Sequence, residues 1–252
     1  TINNNNFTQL NHSVTASGTI IGINLLSTNL NTSINNNTFT NITTGTTGSF
    51  TFIVQSFTAA TNGTKNTNGN SIVTAFNKTG AGGTVTFIVD NGSSTTGTLS
   101  TCQNNNFSNG TITGATTLTG ISYTDGGTAP SRTVTGNTIS NWTGGTSAIN
   151  CMNFTYWNGT SSLSNNTVSS ITSQGNITGI TIGATVNTAT SVSINNNSIS
   201  NLSSTGTGGT VIGISCTNTS TLINIYSNSI SGLSSTGASA VSGISIGGAN
   251  TT

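Results

Sequence analysis

The sequence predicts an all-β solenoid, a parallel β-helix of about eight coils with three short strands in each. Three observations lead there. One Asn returns eight times, as Asn5, Asn37, Asn70, Asn105, Asn137, Asn166, Asn197 and Asn228, at steps of 32, 33, 35, 32, 29, 31 and 31 residues. A phrase recurs around it: apolar, any residue, often Asn, then Asn, a small polar residue, and apolar again. Ile34-Asn35-Asn36-Asn37-Thr38-Phe39 and Ile194-Asn195-Asn196-Asn197-Ser198-Ile199 are examples. Finally, the apolar stretches are short, β-branched and alternating, and Gly, Asn, Ser and Thr bound them. That pattern suits strands, and no window carries the 3.6-residue period of an amphipathic helix.

The first strand of each coil is the Asn phrase itself. Coils begin near Ile2, Ile34, Thr67, Cys102, Val134, Leu163, Ile194 and Ile225 within a single β-helix segment spanning 1–252. The second strand follows at once, as in Ile199-Ser200-Asn201-Leu202 and Ile230-Ser231-Gly232-Leu233. The third reads apolar-x-Gly-Ile-x-apolar, as in Ile20–Leu25, Leu118–Tyr123, Ile177–Ile182, Val211–Cys216 and Val241–Ile246. In the second and third repeats it becomes Phe50-Thr51-Phe52-Ile53-Val54 and Val85-Thr86-Phe87-Ile88-Val89, whose register against the others is ambiguous.

Successive coils are expected to pair in parallel about 4.8 Å apart, giving a rod of roughly 38 Å. Inward residues then stack in columns. One is expected to hold Ile23, Ile121, Ile149, Ile180, Ile214 and Ile244. Another holds Phe7, Phe39, Ile72, Phe107, Ile139, Val168, Ile199 and Ile230. A single coil cannot bury these residues, but its neighbours can. The recurrent Asn is placed at a corner, where Asn tolerates the left-handed conformation. Its amide can bond the equivalent amide of the next coil, forming an Asn ladder along the rod.

Composition narrows the function. Charged residues make up 2% of the chain, with three Lys plus Arg and two Asp. Lys65, Lys78 and Arg132 are too scattered for a nucleic-acid or anionic-membrane surface. No apolar run approaches the roughly 18 residues of a transmembrane helix, so membrane insertion is not expected. The expected partners are copies of the chain or adjoining repeats, end to end, because the first and last residues are in phase to continue the repeat. Surface glycans are a further expected partner. The expected setting is extracellular or at the cell surface.

The phrase apolar-x-Asn-Asn-x-apolar resembles the repeat of right-handed parallel β-helix proteins of the pectate-lyase-like superfamily, and the resemblance covers all eight repeats. The Asn/Thr/Ser-rich, charge-poor form here is most similar to long secreted repeat proteins of bacteria. The resemblance implies a right-handed coil. It admits several activities, since the superfamily includes polysaccharide lyases and hydrolases, phage tailspikes and surface adhesins.

Against enzymatic activity stands the scarcity of catalytic groups. Asp90 and Asp125 sit in turn phrases, Asp90-Asn91-Gly92 and Asp125-Gly126-Gly127, and are read as turn residues, although adjacent coils could bring them together as a carboxylate pair. Gly243-Ile244-Ser245-Ile246-Gly247 mimics a nucleophile elbow, but Gly179–Gly183 repeats it, so it is a third strand. The sole His, His12, is read as a solvated loop residue. Cys102, Cys151 and Cys216 are read as buried free thiols, with Cys151 and Cys216 at the same place of their coils, two steps apart and beyond disulfide reach. No catalytic, metal-ligating or cofactor-binding residue is assigned, and no cofactor is expected.

The expectation is therefore a non-catalytic structural or adhesive module of an extracellular fibre, stalk or adhesin. The alternative is a carbohydrate-binding or carbohydrate-cleaving module, with Tyr123, Trp142, Tyr156 and Trp157 available for sugar stacking, although Trp142 also fits the core. Thr-x-Thr phrases at Thr84-Val85-Thr86 and Thr133-Val134-Thr135 make ice binding a minor alternative.

Overall fold

The computed structural model describes residues 1–12, 15–28, 30–124, 131–157, 160–185, 191–217 and 223–247. Among them the chain consists of strands and turns, without an α-helix. Strands at the same place in successive repeats pair in parallel, so the chain winds as a solenoid with three faces. The first face stacks eight strands, from Ile2–Asn3 and Asn31–Asn35 to Ile223–Tyr226. The third also stacks eight, from Ile20–Leu25 to Val241–Ile246. Eight strands make seven turn-to-turn steps. The second face is split into a three-stranded sheet beginning at Asn6–Thr8 and a seven-stranded sheet ending at Ser229–Ser235. Single bridges through Asn106 continue it between Ser71 and Thr138.

Alternation decides what is inside. On the first face Ile2, Ile34, Thr67, Cys102, Val134, Leu163, Ile194 and Ile225 pair in sequence. On the second, Phe7, Phe39 and Ile72 pair, as do Ile139, Val168, Ile199 and Ile230. These columns meet in one continuous core whose inner members are inaccessible to water.

The third face resolves the ambiguous register. Phe50 pairs with Ile20 and Val85, and Ile53 pairs with Ile23 and Ile88. Phe52 and Phe87 therefore stand where other coils carry Gly22, Gly120, Gly179 and Gly213. That place makes no paired register of its own, and both it and the next residue face inward: Phe52 and Ile53 are each 0% exposed.

One column needs correction. Ile149 pairs with Leu118 and Ile177, whereas Met152 pairs with Ile121 and Ile180. Met152, and not Ile149, thus belongs to the Ile23–Ile244 column. Cys151 takes the Gly place, and Phe154 takes the place equivalent to Cys216. This coil has no Gly to mark the phase, and Met fills an Ile-sized space as readily as Ile does.

The corner also differs from expectation. The ladder Asn is not the left-handed residue. That role falls to the residue just before it: Asn4, Asn36, Gly69, Asn104, Gly136, Asn165, Asn196 and Ser227 all have positive φ, between 53° and 67°. Gly accepts this conformation without penalty and Asn at little cost, whereas Ser227 adopts it against its ordinary preference. The two adjacent Asn of the phrase divide the work, one turning the chain and one bonding along the rod.

Candidate functional site

Polar chemistry concentrates in three places: the ladder, the corners, and a seam inside the middle coils. In the ladder, each Nδ2 donates to the Oδ1 of the next Asn at 2.9 Å, from Asn5 to Asn37 and on through Asn197 to Asn228. The backbone N–H of each also donates to that same Oδ1. The second amide hydrogen reaches back one coil, as from Asn137 Nδ2 to Cys102 O and from Asn166 Nδ2 to Val134 O. One side chain thereby joins three coils. From Asn37 to Asn197 the ladder is buried, so leaving its bonds unmade would expose no compensating water.

Two further polar rows were not read from the sequence. On the outer side of the first face, Asn3, Asn35 and Asn68 accept through Oδ1 the backbone N–H of Asn35, Asn68 and Gln103. At the corner before the third face, Ser173 and Ser204 donate to loop carbonyls of the preceding coil. Lys78 belongs to that corner. Its ammonium donates to Gly80 O, Gly82 O and Thr116 Oγ1, while burial lowers its pKa.

The seam overturns the reading of Asp90. It is not a turn residue but the last residue of strand Thr84–Asp90, fully buried between Gln55 and Tyr123 of the adjoining coils. Lys65, on first-face strand Thr64–Asn68, faces it, with Nζ donating to Oδ1 at 2.8 Å and Oδ2 at 3.1 Å. The Lys65 ammonium also lies 4.7 Å from the Phe57 ring centre. Thr67 accepts from Gln55 Nε2 nearby. Further along, Arg132 stacks over the Tyr123 ring at 5.4 Å, and both are buried. An inward carboxylate is tolerable here because a buried cation meets it. Asp125, the other carboxylate weighed for a paired site, lies outside the described residues.

Burial pushes the Cys102 and Cys151 thiols up to about 12. It also raises the Tyr123 hydroxyl, with smaller contributions from the adjacent Cys102 and Asp90. Such thiols stay protonated and are poor nucleophiles. All three cysteines are buried and stand outside any disulfide.

The aromatic residues assigned to sugar stacking are corrected as well. Tyr123, Trp142 and Trp157 are core residues, each at most 1% exposed, because they fall on inward places. Trp142 Nε1 donates to Phe107 O. The side chain of Tyr156 lies outside what is described. His12 is half-buried against Gly18 rather than solvated. Thr51, Thr86 and Thr119 pair in a row on the third face, but Thr86 is buried and Asn150 interrupts the row.

Every Lys, Arg and Asp side chain among the described residues is therefore inside, at 0% or 1% exposure. The exterior of the described coils is amide, hydroxyl, glycine and scattered apolar side chains. A groove of about 580 Å³ runs beside the corner loops of the later coils, lined by residues that include Thr146, Gln174, Asn176, Thr205 and Thr207. Among the described residues no three His, Cys, Asp or Glu side chains gather where a metal could be held. No protein-family model matches the chain, and no curated protein and no solved structure matches it significantly.

Proposed function

We propose that the chain is a structural or adhesive module of an extracellular fibre, stalk or surface adhesin, acting through its neutral exterior and not through catalysis. One observation supports this reading: among the described residues the Lys, Arg and Asp side chains lie inside, and the outer faces repeat uncharged amides and hydroxyls from coil to coil. Such a surface coheres through hydrogen bonds and apolar contact, with little electrostatic steering. The test is the intact mass of denatured native material, beside electron micrographs of the undenatured form. A mass far above 25.2 kDa, or long fibres of a 25.2 kDa subunit, supports the reading. A monodisperse 25.2 kDa monomer without fibres overturns it.

The groove beside Gln174 and Thr205 favours a second reading, glycan binding by neutral hydrogen-bonding groups. Gln174→Ala should weaken retention on the polysaccharide bound. Absence of binding across a broad glycan panel removes this reading.

A further inference from the structure

We propose that Lys65 and Asp90 condense to an amide, an internal cross-link that the folded chain forms by itself. The geometry supplies what a condensation needs. Nζ lies 2.8 Å and 3.1 Å from the two carboxylate oxygens, so the carbon between them is within close reach of the amine. Neither side chain is exposed, and each is carried on a strand paired on both sides. The reacting groups are thus held together, and the ordering entropy is already met by the fold. An ion pair taken out of water has a desolvation penalty that its mutual attraction repays incompletely. A neutral amide removes both charges, and the dry interior hinders the reverse hydrolysis.

The step balances without a co-reactant. A proton passes from Nζ to the carboxylate, and the freed lone pair attacks Cγ. The bond from Cγ to the protonated oxygen breaks, a second proton leaves nitrogen for the departing hydroxyl, and one water is released. The product ties the first face to the third across 25 residues of a single coil. It would keep that coil closed under load or denaturant. The inference is independent of whether the module is structural or glycan-binding.

The test uses the full chain, denatured and digested with trypsin. The expected mass is one water below that of the sequence. Lys65 is no longer a cleavage site, so the peptide 66–78 is absent and a branched species joins 1–78 to 79–132. Lys65→Arg should retain the full mass expected for its sequence and be cleaved at residue 65. Unmodified mass with release of 66–78 from the native chain overturns the proposal. So does a water loss that persists in Lys65→Arg, since it would come from another site. If Lys65→Arg fails to fold, the digest of the native chain decides alone.

Discussion

Between Phe50 and Trp157 the interior is filled by aromatic rings and buried charges, whereas from Ile177 to Ile246 it is filled by aliphatic side chains packed over glycine. In the later region Gly179 and Gly213 leave no room for a side chain. A Cβ at Gly179 would stand 2.7 Å from Gly213 O and 3.2 Å from Ile199 Cγ2. In the middle region Phe52 occupies the same place and packs against Phe39, Phe50, Phe76, Phe87 and Phe107. The ladder steps there are also uneven, 33, 35, 32 and 29 residues against 31 and 31 later. One backbone winding thus admits two cores: a regular one that repeats, and an irregular one held by particular partners. A regular core distributes its stability evenly over coils, as expected of a solenoid. An irregular one concentrates it.

The sharpest way to break this comparison is to remove one partner from each core. Lys65→Met strands the Asp90 carboxylate in the interior and should cost about 3–5 kcal/mol. Ile180→Val, in the regular region, should cost only about 0.5–1.5 kcal/mol. Urea denaturation measures both. Measured against the chain before the pair condenses, the double variant Lys65→Met/Asp90→Leu should recover most of the loss, because apolar residues of similar size can replace a buried ion pair. Equal losses for Lys65→Met and Ile180→Val would mean that the two cores do not differ in this way.

The ladder offers a comparison along the rod. Asn137 is buried and bonds Asn166, Cys102 and Asn105. Asn137→Ala leaves several of these groups unmet and should cost about 2–3 kcal/mol. Asn228 makes similar bonds but is only half-buried, so water can replace the lost partners. Asn228→Ala should cost less than about 1 kcal/mol in the same denaturation experiment. A loss at Asn228 as large as at Asn137 would show that burial does not set the ladder's strength.

The regular features were legible and the particular ones were not. The ladder could be read because one residue type returns at one phase, and the inward columns of the first two faces follow from counting on from it. The turning role of the preceding residue was hidden because Asn fills both places in phrases such as Asn36-Asn37. Repeats with Gly69 or Gly136 before the ladder Asn held the clue, since Gly marks the left-handed position. Ile149 was misplaced because its coil lacks the third-strand Gly. The reading of Asp90 failed for a deeper reason. Asp90-Asn91-Gly92 has local turn chemistry, whereas burial of the carboxylate depends on Lys65 in another strand. Aligning Asp90 with Tyr123 and Cys216 would have shown an inward place, but no local signal names its partner.

Alkaline pH probes the middle region selectively. Burial raises the Cys102 and Cys151 thiols from 9.0 to about 12. Below about pH 9 both folded and unfolded chains hold these protons, and the contribution to stability is complete. Above it the unfolded chain releases them first, so stability falls as pH rises towards about 12. The slope should be at most ~1.4 kcal/mol per pH unit for each thiol. Cys151→Ala should lower stability near neutral pH through its cavity, yet flatten the alkaline slope by one thiol's share. An unchanged slope in that variant would assign the alkaline loss to other groups.

The smallest effect expected is that of salt, and it tests whether the inside and the outside differ in charge as described. Ordinary surfaces carry ion pairs and like-charge repulsions that respond to ionic strength within a Debye length of about 10 Å at 0.1 M. Here Lys65, Lys78, Asp90 and Arg132 lie inside, where mobile ions do not reach them. Moving from about 0.02 M to 0.5 M sodium chloride should therefore change unfolding stability by less than about 0.5 kcal/mol. Exposing one charge on each of two neighbouring coils, as in Thr133→Lys with Ser162→Asp, should restore a salt dependence, because these residues pair across the first face. A strong salt response in the unaltered chain would place working charges on its exterior. It would also remove the ground for reading that exterior as a neutral, cohesive surface.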